Sequence, residues 1–163
     1  MGNQISDNTI QTFNVKRYLG KWYEIAKKPT VYGECTMSTA EYTWVAEKRG
    51  INVLNTCYEC DKILSTWEAF AYVPCETDPG KLKLKYTDYQ GCTKISDYWI
   101  HCTDYDSYAI VGGPTGDYLW ILSRDKKITQ CRLNHLINHA KLYGYNVDDL
   151  QLTDTMKVCP KCK

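Results

Sequence analysis

The chain has 163 residues, 44% of them hydrophobic and with no long polar tract, which predicts a single domain, residues 1–163, with a core of its own. Its 20 basic and 19 acidic residues are interspersed and leave a net charge of +1, so neither a nucleic-acid stripe nor an electrostatic membrane surface is expected. No apolar run approaches the roughly 20 residues of a bilayer-spanning helix, and the expectation is a soluble protein.

Residues 1–12 read as a flexible end. They carry neither the basic region nor the apolar stretch of a secretory signal, so the chain as written is expected to be intracellular. The alternative is a secreted protein whose Met1 is an artefact of expression. Gly2 followed by Ser6 fits the myristoylation pattern, which would allow peripheral membrane association; the competing reading is a plain loose tail. Phe13 to Leu19 then lead like a short lid into Gly20-Lys21-Trp22-Tyr23-Glu24. Here Gly20 lets the backbone enter the first strand sharply. Alternation puts Trp22, Glu24 and Ala26 on one face and Lys21, Tyr23 and Ile25 on the other.

Strands are predicted at 21–27, 39–47, 51–58, 66–73, 81–87, 97–103, 107–112 and 117–124. Turn chemistry separates them at Pro29, Arg49-Gly50, Asp78-Pro79-Gly80 and Gly112-Gly113-Pro114. Leu82, Leu84 and Tyr86 alternate with Lys81, Lys83 and Lys85, and Ala40, Tyr42 and Trp44 with Glu41 and Thr43, so each strand has one dry face. Eight sequential antiparallel strands leave two open edges unless the sheet closes, which favours an all-β, eight-stranded up-and-down barrel. Small Ala40, Ala69 and Ala71 beside large Tyr42, Trp44 and Trp120 point to a cavity with aromatic walls. The 14 Tyr and 5 Trp, against 2 Phe, suit walls that meet both core and a partly wet interior. After the eighth strand the period changes to that of one amphipathic helix over 130–143, capped by Thr129, ended by Gly144 and packed outside the barrel. Asn146 to Leu152 reads as a last extended segment, and 153–163 as a tail held by covalent chemistry.

Three segments together resemble the structural motifs of the lipocalins. They are Gly20-Lys21-Trp22-Tyr23-Glu24; Thr103-Asp104-Tyr105-Asp106 followed by Tyr108-Ala109-Ile110-Val111; and Tyr118-Leu119-Trp120-Ile121-Leu122-Ser123-Arg124. The similarity is to the branch of apolipoprotein D, the bacterial lipocalins and the plant temperature-induced lipocalins. It implies that Gly20, Trp22, Thr103, Asp104, Tyr105 and Arg124 are structural, with Trp22 closing the narrow end under the Arg124 guanidinium. It also implies an open end rimmed by loops 28–38, 59–65, 88–96 and 113–117. The function implied is carriage of a small hydrophobic ligand in the lumen, without a cofactor. Period and resemblance together give Tyr42, Trp44, Asn55, Leu84, Tyr98, Tyr118 and Trp120 as ligand-binding residues.

The resemblance also implies a disulfide between Cys35 and Cys159, tying the tail to the barrel. Nine cysteines leave at least one unpaired, and Cys57, Cys60, Cys75, Cys92, Cys102, Cys131 and Cys162 cannot be paired from sequence. Cys57-x-x-Cys60 and Cys159-x-x-Cys162 have zinc spacing, but one pair lies on a strand and its turn and the other in the tail, so no metal is expected. His135 and His139, four apart on the helix, lack a third ligand and read as solvated. Glu24 and Cys57 are the inward groups able to act chemically, and Glu24 reads as hydrogen-bonded near the closed end. Catalysis needs a nucleophile with a base or paired carboxylates in a cleft, and the second strand, with Ala40, Tyr42 and Trp44, carries no Cys, so it is not expected. The rival to a carrier is a filled barrel serving a structural or interaction role, and a lumen-site isomerase is the third reading.

Overall fold

The computed structural model describes residues 4–30 and 35–153. Its strands are β1 (Gly20–Lys27), β2 (Met37–Val45), β3 (Gly50–Glu59), β4 (Lys62–Tyr72), β5 (Lys81–Thr87), β6 (Thr93–Thr103), β7 (Tyr108–Gly112), β8 (Leu119–Ser123) and the two-residue β9 (Gln151–Leu152). A one-turn helix α1 (Val15–Tyr18) precedes β1, and α2 (Gln130–Leu142) follows β8. Neighbours pair antiparallel in sequence order from β2 to β8, and β1 pairs with both β8 and β2, which closes the ring. Closure leaves each of these eight strands a partner on both sides and removes the open edges.

All eight predicted strands are present. β4 and β6 begin four residues earlier than alternation suggested, so the rim loops are shorter than expected. At the β3–β4 hairpin, Cys60 and Asp61 both adopt positive φ (48° and 68°), the geometry of a tight two-residue turn, and pairing runs directly up to it. Adjacent Ile63 and Leu64 hide the period there, because a register shift after Ser65 takes Leu64 out of the ladder.

Two apolar layers flank the sheet. The inner one, Trp22, Tyr42, Val53, Ala69, Leu82, Tyr98, Ile100, Val111 and Leu122 among them, fills the lower lumen. The outer one packs Ile25, Ile110, Leu119 and Ile121 of the barrel against Leu133, Leu136 and Ala140 of α2. Fully burying each of these leucines contributes about 1.5–3 kcal/mol. Thr129 caps α2 by accepting from the Arg132 amide, and Gly144 leaves the helix at φ +98° as the sequence predicted.

Three expectations are corrected. Ala26 joins the outer layer with Ile25, because a bulge between Glu24 and Ala26 shifts the alternation by one residue. Residues 4–12 are packed against the barrel and do not form a loose end. Ile5 and Thr9 are buried, the Ser6 amide donates to the Tyr143 carbonyl and the Ile10 amide to Ile100. Cys35 is bonded to Cys57, not Cys159, because the β2–β3 register, with Ser38 opposite Cys57, brings the Cα atoms of Cys35 and Cys57 within 5.5 Å. Cys131 is also disulfide-bonded, while Cys60, Cys75, Cys92 and Cys102 are free. Gly2, Cys159 and Cys162 lie outside the described residues.

Candidate ligand site in the barrel lumen

The lower end of the barrel is sealed. Trp22 is wholly buried, its indole N–H donates to the Tyr18 carbonyl at 2.9 Å, and the Arg124 guanidinium lies 3.7 Å from the ring centroid. Arg124 also donates to the carbonyls of Tyr105, Lys21, Arg17 and Tyr18, stitching the chain before β1 to the β6–β7 turn. That turn is self-braced. The Asp104 carboxylate accepts from the amides of Ser107 and Tyr108, and Thr103 accepts from the Tyr105 amide, where φ is +67°. Partial burial alone would raise the Asp104 pKa, but these hydrogen bonds outweigh it and hold the carboxyl below its ordinary range.

On this seal stands a floor of three phenols. The Tyr98 hydroxyl lies 2.6 Å from that of Tyr18 and 2.7 Å from that of Tyr42, and all three rings are buried. Burial raises the pKa of each, Tyr42 to about 12, so the floor is uncharged, and its polar atoms satisfy one another.

Above the floor the wall becomes mixed. Asn55 stands opposite Ala40 and Trp67, and Leu84 opposite Ala71. Because directly paired residues share a sheet face, and Ala40, Ala69 and Ala71 line the lumen, Asn55, Trp67 and Leu84 do too. Trp67 meets Tyr86 edge-on at 6.1 Å yet remains 47% exposed. Across the barrel Trp120 packs against the inner layer, and Tyr118, 46% exposed, stacks on it at 5.7 Å.

The same pairing rule locates a charged pair. Glu24 is opposite Leu122 of the inner layer, and Lys27, beyond the bulge, is opposite Trp120. Both therefore face inward, 3.7 Å apart, with each side chain 17% exposed. Burial raises the Glu24 pKa, and the neighbouring ammonium of Lys27 opposes the rise. Glu24 thus finds its partner up the wall, not near the closed end.

A family model for the lipocalin-like domain matches residues 13–155. This chain is a lipocalin. Apolipoprotein D of Cavia porcellus is 29% identical over 92% of it and 80% of the relative. Temperature-induced lipocalin-1 of Arabidopsis thaliana is 30% identical over 93% and 84%, and the outer membrane lipoprotein Blc of Vibrio cholerae 32% over 92% and 87%. Insecticyanin from the tobacco hornworm, Manduca sexta, shares the fold with a TM-score of 0.73 at 21% identity, covering 94% of this chain and 87% of its own.

Against this lipocalin lumen, Tyr42, Asn55, Leu84, Tyr98 and Trp120 fall on one continuous inner surface, Tyr42 and Tyr98 in its floor. Tyr118 sits at the mouth, one residue before β8. Trp44 stands apart: it is 44% exposed at the end of β2 that carries the β2–β3 turn, beyond the level of Gly20, and so lies at the sealed end. Three lumen residues escaped the sequence reading. Trp67 had a legible signal, two and four residues before Ala69 and Ala71. Tyr18 had none, since it enters the lumen from α1, and Lys27 was hidden by the bulge.

Proposed function

We propose that this lipocalin reversibly buries a small hydrophobic molecule, such as a fatty acid or related lipid, in the upper lumen and acts as a carrier. The carrying observation is the gradient along the axis: the lower lumen is packed and self-satisfied, whereas the inward-facing Trp67 and Tyr118 at the mouth keep 47% and 46% of their surface accessible. An apolar chain covering them gains ~25 cal/mol per Å² of surface removed from water. The residues proposed to contact it are Asn55, Trp67, Leu84, Tyr118 and Trp120, above Tyr42 and Tyr98. A catalytic role has less support. Cys57 is held in a disulfide and offers no thiolate, and the Glu24 carboxylate lies against the Lys27 ammonium.

Titration with the neutral dye N-phenyl-1-naphthylamine, followed by displacement with fatty acids, tests the reading. Saturable binding that Trp67→Ala and Trp120→Ala each weaken, in proteins with unchanged circular dichroism, is the expected result. A folded protein that takes up no dye is a filled barrel and refutes the carrier.

A further inference from the structure

We propose that Lys27, turned into the lumen by the β1 bulge and set against Glu24, is the residue that anchors the carboxylate head of a fatty-acid ligand; the inference rests on the lumen-binding reading above.

The argument begins with the bulge. Strict alternation would send Lys27 outward with Lys21 and Tyr23. Instead Ile25 and Ala26 both enter the outer layer, Ala26 opposite Ile121, and Lys27 turns inward opposite Trp120. The upper half of β1 has also parted from β2. Their pairing stops at Glu24, and β9 takes the edge at Ala26 and Lys27. A lysine has therefore been brought into an aromatic wall near the mouth, where an apolar side chain would bury more surface at less desolvation cost.

What Lys27 can bind follows from its neighbours. Its ammonium carries three N–H donors, and its Glu24 contact, at 3.7 Å, is longer than a hydrogen bond. Donors remain for a second oxyanion. The floor does not compete for a charged head, because its phenols are uncharged and bonded to one another. The ligand is thus oriented with its head at Lys27 and its chain descending past Trp120 toward Tyr42 and Tyr98. Glu24 sets the strength: it holds the ammonium in place when the lumen is empty and competes with the incoming carboxylate when it is not. Lys94 is the control. It shares the inner face with Tyr86, its partner in the ladder, but it is more than half exposed and faces Asp88, so it adds to the field at the mouth without being buried beside Trp120.

The test measures affinities for palmitate and for hexadecanol, which share a chain and differ in the head, at a pH where the acid is ionised. The wild-type protein is expected to prefer palmitate by about tenfold or more, the worth of one charge-assisted contact in a partly dry site. Lys27→Met should abolish the preference by weakening palmitate alone. Lys27→Arg should retain most of it, and Lys94→Met should leave it intact. Glu24→Gln, which removes the competing carboxylate, should tighten palmitate several-fold, and it decides the matter if Lys27→Met does not fold. Equal affinity for acid and alcohol in the wild type overturns the proposal, as does a preference that survives Lys27→Met or disappears with Lys94→Met. Unchanged palmitate affinity in Glu24→Gln overturns it as well. If hexadecanol binds but shows no disadvantage, only this proposal fails; if neither chain binds, the lumen reading falls with it.

Discussion

Breaking the clasp between Trp22 and Arg124 isolates what holds the sealed end. Arg124→Met keeps much of the aliphatic stem but removes the guanidinium from the indole, 3.7 Å from its centroid, and from four carbonyls. The bonds to Lys21 and Arg17 lie on the exposed side, where water can replace them. Those to Tyr105 and Tyr18 are partly buried, and at a net ~0.5–1.5 kcal/mol each they account for about 1–3 kcal/mol. The cation–π contact adds roughly 0.5–2 kcal/mol. Trp22→Leu empties part of a wholly buried site and costs about 2–5 kcal/mol by itself, including its indole bond to Tyr18. Summing single losses would not separate these effects, but the double mutant does: the portion shared by the two residues should be about 0.5–2 kcal/mol. Urea unfolding of all four proteins, followed by circular dichroism because Trp22 contributes to the fluorescence, gives the cycle. Arg124→Lys should recover part of the coupling and little of the hydrogen bonding, since an ammonium cannot span the four carbonyls. Additivity within ~0.5 kcal/mol would refute direct coupling. A large loss of dye affinity in folded Arg124→Met would refute the separation of seal from site.

Two further predictions follow from the outer structure. Non-reducing peptide mapping should recover Cys35 linked to Cys57. Replacing both by Ala should lower stability by ~3 kcal/mol for a 22-residue separation and Tm by about 6–12 °C, whereas a peptide linking Cys35 to Cys159 would contradict the pairing. His101 is buried, with Nδ1 2.6 Å from the Asn8 carbonyl and Nε2 2.7 Å from the Tyr145 hydroxyl, and burial lowers its pKa below the ordinary 6.5. The unfolded chain takes up the proton first. The contribution of His101 is therefore complete above pH 6.5 and is lost as the pH falls through the lower, folded value. The stability difference between wild type and His101→Gln, measured by thermal unfolding across this window, should shrink toward low pH, and a constant difference would refute the buried neutral imidazole.

The number of strands, the closed sheet, the single helix and most of the inward residues were legible in the sequence, because a half-buried strand writes its orientation as alternation. Tyr42, Leu84, Tyr98 and Trp120 lie within or beside runs such as Leu82-Lys83-Leu84-Lys85-Tyr86, and once one member faces inward the others follow. Thr129 and Gly144 mark the ends of α2 by equally local chemistry, and the Trp22–Arg124 clasp was recoverable because each sits at a fixed place in its motif. What the sequence left undetermined depended on events that interrupt a period or join distant segments. A single extra residue between Glu24 and Ala26 moved Ala26 to the outer layer and Lys27 into the lumen, and no composition signal distinguishes that bulge from continuous strand. Leu64 concealed the true start of β4 in the same way. Tyr18 reaches the floor from a helical turn, so its position depends on where α1 docks. The partner of Cys35 was decided by the β2–β3 register, since a thiol pairs with whichever sulfur the folded backbone brings within reach. Side-chain direction along one strand is a local property, fixed residue by residue; the pairing of strands, with its shifts, is a property of the whole ring, and that is where the charged pair of the lumen was made.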